Sequence, residues 1–159
     1  MRQEQGFTLI ELIVVIVILG ILAATALPRQ SNLIADARVA QMHAMTASLR
    51  AAAIMAHGQA LSEAVGASSS VTLADGTVIN LQFFYPTASD VPAALEKLGN
   101  NYASNVNPLV PTGWDFYPDA TRTLCVVTYY AATAVSGASS VPVIDESAVL
   151  GASGVQNCT

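Results

Sequence analysis

Glu11 is the residue whose chemistry most needs explaining. It sits in the opening stretch MRQEQGFTLIELIVVIVILGILAATALP, as the single ionisable side chain between Phe7 and Leu27. A carboxylate placed in hydrocarbon is costly unless it is paired, so this one asks for a cationic partner. Cys125 and Cys158 are the second candidate pair. Their spacing is not that of a metal site, no C-x-x-C redox pair is present, and in an exported chain the default is one disulfide. Met42, His43 and Met45 could pass for soft metal ligands, but at helical spacing His43 cannot face the same way as both methionines. His57 would stand about 21 Å along a helix axis from His43, too far to share a metal. Asp115, Asp119, Asp145 and Glu146 lack ordered ligand spacing and read as scattered carboxylates of an acidic chain rather than a calcium site. The serine-rich pieces GASSS, GASS and GASG lack the G-x-S-x-G pattern, and neither histidine lies near a nucleophile. No enzyme, metal site or cofactor is expected from these residues.

Elements must place these groups. From Phe7 to Leu27, about 21 residues at 1.5 Å each span roughly 30 Å as a helix, the thickness of a bilayer's hydrocarbon core. A plain membrane anchor accounts for the length but leaves Glu11 as a penalty of roughly 2–3 kcal/mol. A secretory signal peptide would be cut after Ala24-Thr25-Ala26. Against that, the apolar run exceeds the usual stretch of about 7–15 residues, Pro28 follows the cut, and Arg2 is the whole basic region. Pro28 removes one backbone donor, which predicts a bend or loosening between Gly20 and Pro28. Beyond it the alanine-rich stretch from Arg29 to Leu61, free of glycine until Gly58, predicts continued helix. Ile34, Met42, Met45, Leu49, Ala53, Ala56 and Ala60 recur as a stripe for a sheet to cover, leaving Ala37, Ala40, Ala44, Ala47 and Ala51 free to meet neighbouring helices.

The remainder reads as a small head of strand and loop. VTLADGTVINLQFFY predicts a hairpin, with Asp75-Gly76 as a two-residue type I′ turn between Val71–Ala74 and Thr77–Phe84. A short helix begins at Pro92 after Asp90 and is ended by Gly99. NNYASNVNPLVPTGW has the composition of an irregular connection, with Trp114 and Phe116 as head core or an edge anchor. TRTLCVVTYYAA is a strand that puts Cys125, Val127 and Tyr129 on one face. The tail is weakly patterned, with an edge strand near Val141 to Ile144.

Composition narrows the classes. The 159 residues are 53% hydrophobic and 11% charged, with eleven acids against six bases. That supports one domain plus a membrane segment, and argues against a nucleic-acid surface or a basic membrane-binding patch.

GFTLIE, from Gly6 to Glu11 and followed by the apolar run, resembles the class III signal of type IV pilins and related pseudopilins. The resemblance implies that a prepilin peptidase cuts between Gly6 and Phe7 and methylates the new amine of Phe7. Glu11 then becomes fifth in the mature chain and can meet the Phe7 amine of a neighbouring subunit inside a helical bundle, setting the register of assembly. The short leader MRQEQG resembles the type IVa group, and Gly20 and Pro28 stand where the family often has helix-breaking residues. A Cys125–Cys158 bridge matches the disulfide-bounded C-terminal region common in these pilins. It would close a loop of about 34 residues, worth nominally 3.5–4 kcal/mol. PRQSNLIADAR and the cysteine-bearing strand look most like the mannose-sensitive haemagglutinin pilin group.

The resemblance implies an α+β fold, a long helix on a small antiparallel sheet head. Its parts would be a leader over 1–6, an apolar assembly helix over 7–28, its amphipathic continuation over 29–61, and a head over 62–159 holding the disulfide loop 125–158. It implies a precursor in the inner membrane with its head in the periplasm. Inner-membrane assembly machinery would then draw it into an extracellular homopolymer used for adhesion, surface attachment or motility. A type II secretion pseudopilin is the alternative that shares this signal. An exported or anchored soluble binding domain is the more distant one.

Overall fold

The computed structural model describes residues 7–96, 102–110, 112–135, 138–139 and 141–159. The leader with Gly6, and the expected helix stop at Gly99, lie outside them. One helix dominates: α1, Leu9–Ser62. It continues as helix through Gly20 and Pro28. Proline removes a single donor, and the long helical stretches on either side hold the geometry across it.

The two halves of α1 meet different surroundings. Leu9–Ala26 is long and apolar enough to cross a membrane, and none of it is buried in the structure. In the second half Met42, Met45, Leu49, Ala53, Ala56 and Ala60 are buried, as the stripe predicts, and Ala52 and Ala35 join them. Ile34 does not: it is 52% exposed, and the neighbouring Ala35 turns inward in its place.

Two sheets and a tail cover that stripe. The first is β1 (Ser70–Thr72), β2 (Val78–Gln82) and β3 (Tyr85–Pro86), antiparallel in that order. Its first turn differs from expectation. Gly76 alone has positive φ there, and its N–H bonds back to Leu73 O at 2.8 Å, so Ala74-Asp75-Gly76 form a three-residue loop. Asp75 accepts from the Thr77 amide at 2.7 Å, which ties its side chain to the loop in the right-handed form. The two-residue turn with both residues at positive φ, as type I′ requires, is Phe83-Phe84 between β2 and β3. It cuts short the strand expected to reach Phe84.

The short helix α2 (Val91–Glu96) links to the second sheet, four antiparallel strands in the order β4-β5-β6-β9. These are β4 (Ala103–Val106), β5 (Gly113–Tyr117), β6 (Val127–Tyr130) and β9 (Val143–Asp145). The region expected to be irregular is therefore β4, a turn and β5. Asn107 and Pro108 lie in the turn, Asn105 lies in β4, and Trp114 and Phe116 lie in paired strand. Strand β6 begins only at Val127, because residues 119–125 form successive turns through Arg122 N to Asp119 O and Cys125 N to Arg122 O. Cys125, Val127 and Tyr129, expected on one face, are all buried, Thr128 on the opposite face is buried too, and β9 is the expected edge strand. Between β6 and β9 lies the ribbon β7 (Ala134–Val135) and β8 (Ala138–Ser139). The tail closes with a 3-10 turn, Ser147–Val149, and a helix α3, Gly151–Asn157, that its weak pattern did not announce.

Candidate functional site

The helix N-terminus carries the first cluster. Thr8 is the N-cap, and its hydroxyl accepts from the Glu11 amide at 3.3 Å. Glu11 answers with Oε2, which accepts from the Thr8 amide at 3.0 Å and from the Thr8 hydroxyl at 2.7 Å. This reciprocal capping box satisfies donors that the first helical turn leaves free, and it places a negative group where the helix dipole favours one. Its signal, Thr8-Leu9-Ile10-Glu11, was legible in the sequence as T-x-x-E before an apolar run, and reasoning from membrane cost alone passed over it. Among the described residues Oε1 has no donor. Phe7 is 80% exposed beside it, and with Ile10, Glu11, Val14 and Val15 it lines an open apolar groove of about 380 Å³. The structure thus puts Phe7 and Glu11 on one surface. Gly20 and Pro28 lie well up the helix, away from this cluster.

The second cluster anchors the tail to the head. Cys125 and Cys158 are bonded, both fully buried, with Cα atoms 4.8 Å apart. Arg38 of α1 donates from Nη1 to Cys158 O at 2.8 Å, and Arg122 donates from Nε to Thr159 O at 3.0 Å. Arg122 also pairs with Asp119 at 3.3 Å. Hydrogen bonds from the Thr121 side chain and amide hold the Asp119 carboxyl below its usual range, with help from the two arginines. Glu146 reaches back to α1, 3.3 Å from His43 Nδ1 and 3.2 Å from Arg50 Nη2. Burial pushes the Glu146 carboxyl up, but the bonds from His43, Thr46 and Arg50 together outweigh it and leave it below the ordinary value. His43 thus serves as a hydrogen-bond partner of Glu146, which no local sequence pattern could reveal.

The other candidates also have local roles. Asp115 is buried in the sheet, accepting from Asn107 Nδ2 at 2.9 Å, Thr128 Oγ1 at 2.7 Å and Tyr117 OH at 3.1 Å. Burial and then the adjacent carboxylate push the Tyr117 hydroxyl up to about 12. Asp145 accepts from the Ser147 amide and starts the 3-10 turn. His57 stacks on Tyr85 at 4.4 Å between centroids, with Nδ1 3.2 Å from Phe84 O. No three His, Cys, Asp or Glu residues among those described come together as a metal site.

Residues 1–27 match the family signature described as the prokaryotic N-terminal methylation motif. The chain is 47% identical over 49 residues to the type IV major fimbrial protein FimA of Dichelobacter nodosus, covering 31% of each chain. It is 48% identical over 50 residues to a fimbrial protein of Moraxella nonliquefaciens, covering 31% of this chain and 32% of that one. It is also 50% identical over 58 residues to the type IV narrow pilus major component PilA5 of Thermus thermophilus, covering 36% of this chain and 50% of that one. These matches support a type IV pilin. The alignments span about a third of the Dichelobacter and Moraxella proteins and half of the Thermus one. No solved structure matches the chain. The long helix followed by a small antiparallel sheet region is the α+β pilin fold expected from the sequence, and the Cys125–Cys158 bridge is present in it. The motif and its apolar helix fit a pilin precursor anchored in the membrane and, after assembly, a fimbrium outside the cell.

Proposed function

We propose that the chain is a structural subunit that polymerises through α1 into an extracellular type IV fibre. The observation that carries this reading is the bare first half of α1, an apolar rod with one carboxylate at its tip. Such a rod must be covered by lipid or by other copies of itself, and in lipid Glu11 remains a penalty. Cleavage between Gly6 and Phe7 would create an amine one residue from the capping box. Oε1 of Glu11 could then accept from the Phe7 amine of a neighbouring subunit without giving up Thr8. Burial among spines strengthens that pair and disfavours any register that leaves it unmade. Gly20 and Pro28 would be the places where the helix yields as it is drawn out of the membrane, since both weaken the backbone ladder there.

The partners on this reading are a prepilin peptidase, the inner-membrane assembly machinery and further copies of the chain. The relatives named as fimbrial and pilus proteins favour a surface fibre, for which attachment, adhesion or motility are the uses. The likeness to the mannose-sensitive haemagglutinin group is part of the same proposal.

Intact mass and the N-terminal peptide of protein from its native cell test the reading. The expected chain starts at Phe7, one methyl heavier and two hydrogens lighter for the disulfide. A chain starting at Leu27 would have lost Glu11 itself, and one retaining Met1 would lack the Phe7 amine; either would overturn it.

A further inference from the structure

The turn between β4 and β5 is built more firmly than an idle loop requires. Asn107 Oδ1 accepts from the Leu109 amide at 2.9 Å and from the Val110 amide at 3.0 Å. The Gly113 amide closes the turn on Val110 O at 2.8 Å. A Cβ on Gly113 would stand 3.0 Å from the Tyr130 ring and 3.2 Å from Asn107 Cβ, so the base of the turn is closely packed. Asn107 is itself held by Asp115, a carboxylate buried at 6% exposure whose donors among the described residues are all neutral. A buried carboxylate is costly even when hydrogen-bonded. What it secures here is the orientation of Asn107, and so of the turn. At the tip stands Leu109, 88% exposed.

A receptor of fitting size lies on the same molecule. Arg50, Ala53 and Ile54 of α1, Tyr85 of β3, Val141, and Ile144 of β9 line an apolar groove of about 200 Å³. An apolar cavity of about 150 Å³ is enough to hold a benzene, so a leucine side chain fits. Ile54 and Val141 on its walls are 68% and 62% exposed, an unfavourable arrangement unless something covers them.

Knob and groove belong to opposite edges of one sheet, β4 and β9 in the order β4-β5-β6-β9. Leu109 therefore does not reach the groove of its own chain. Where it is not reciprocated, the contact between two copies is heterologous, joining one surface to a different one, and such contacts build rings or, where the rotation does not close, open filaments. Ile54 also follows Ala47 and Ala51 at seven and three residues along α1, so the groove continues the helix face assigned above to neighbouring subunits.

We infer that Leu109 of one copy docks into the groove between α1 and β9 of the next, giving the heads a directional contact beside that of the spines. This rests on the polymer reading and adds the second interface. Preorganisation by Asn107 and Asp115 lowers the ordering cost of docking, and a single buried apolar anchor suits the pattern of binding hot spots.

Photo-cross-linking of full-length subunits in fibres sheared from cells tests it, with Leu109 replaced by a benzophenone-bearing phenylalanine. The expected product is a dimer whose adduct maps to residues 50–54 or 141–144 of another copy. Intact fibres giving no dimer, or an adduct elsewhere on the head, overturn the inference and leave the polymer reading standing. Absence of fibres from unmodified cells overturns the polymer reading itself. Leu109→Asp is the second variant. Fibre yield should fall roughly tenfold while the subunit's unfolding midpoint in detergent stays put, because the side chain is exposed in the single chain. An unchanged fibre yield counts against the contact.

Discussion

The two halves of α1 are continuous in backbone and opposite in how they treat apolar side chains. In the first, Ile10, Ile13, Ile16 and Leu19 are 70%, 46%, 56% and 57% exposed, and the apolar surface runs all the way round. In the second, Met42, Met45 and Leu49 are buried on one side while alanines occupy much of the other. A helix apolar on every side is a helix whose partner comes from elsewhere, whereas a one-sided helix has found its partner in its own chain. The comparison teaches that the fold of this molecule is complete only from about Ala35 onward. The first half is folded as a helix but awaits lipid or other copies. Substitutions should therefore register in subunit stability when they touch the head, and in assembly when they touch the spine.

The largest head effect is expected at the disulfide. Cys125→Ser with Cys158→Ser removes a constraint between residues 33 apart in sequence, worth about 3.5–4 kcal/mol in the chain-entropy argument. Denaturant unfolding of the full chain in detergent should show that loss, and susceptibility of the tail to proteolysis should rise with it. An unchanged midpoint would mean that Arg38, Arg122 and the tail packing hold α3 without the bridge.

The most direct challenge to the comparison uses one helix and two sites. Leu49→Ala opens a cavity under the sheet and should cost about 3 kcal/mol. Ile16→Ala removes a comparable group from a surface that the single chain never buries, so its unfolding midpoint in detergent should move by less than about 0.5 kcal/mol. Fibre yield should fall in both. If Ile16→Ala destabilises the subunit as much as Leu49→Ala does, the division between the halves is wrong.

Glycine substitutions sharpen the contrast, because their effects should differ in sign. A Cβ on Gly154 of α3 would run into the backbone carbonyl of Val149, which cannot swing aside as a flexible side chain would. Gly154→Ala should therefore cost about 1–3 kcal/mol. Gly58 lies inside α1 with nothing near its added Cβ, so Gly58→Ala should stabilise by about 0.5–1 kcal/mol. Thermal midpoints of the two variants, compared with the parent chain, provide the check.

These sites also show which features the sequence could disclose. The stripe Met42, Met45, Leu49, Ala53, Ala56 and Ala60 was readable because a helix repeats its face every three to four residues. The inward face of β6 was readable because strands alternate. GFTLIE was readable because an ordered motif states its own chemistry. Gly154 was not, since its need arises only when α3 folds back on Val149. Nor was β4, whose Ser104 and Asn105 suit a loop and become strand only by pairing with β5. The Phe83-Phe84 turn contradicts local preference outright: bulky aromatic residues rarely adopt positive φ. There the tertiary contacts of Phe84 and Tyr85 with the core, and the His57 contact to the Phe84 carbonyl, prevail over propensity.

The smallest effect tests how the tail is tied to the sided half of α1. Glu146 answers His43 and Arg50 from 96 or more residues away, so it belongs to the head and should be silent in the spine. Its folded pKa lies below the ordinary 4.5. For a carboxyl depressed in this way, the unfolded chain takes up a proton first as pH falls. The stability that Glu146 supplies is thus fully present above about pH 4.5 and is lost as pH drops through the folded value. Its side chain is 24% exposed and those of His43 and Arg50 are more exposed still, so the contribution is held below about 1 kcal/mol by solvent screening. Glu146→Gln should accordingly unfold slightly earlier than the parent chain at pH 7, and the gap should close as pH falls below about 4.5. Raising the salt concentration at pH 7 should narrow it too. A gap that ignores both pH and salt would mean that the side chain acts by packing under the tail, and that the link between tail and helix is not electrostatic.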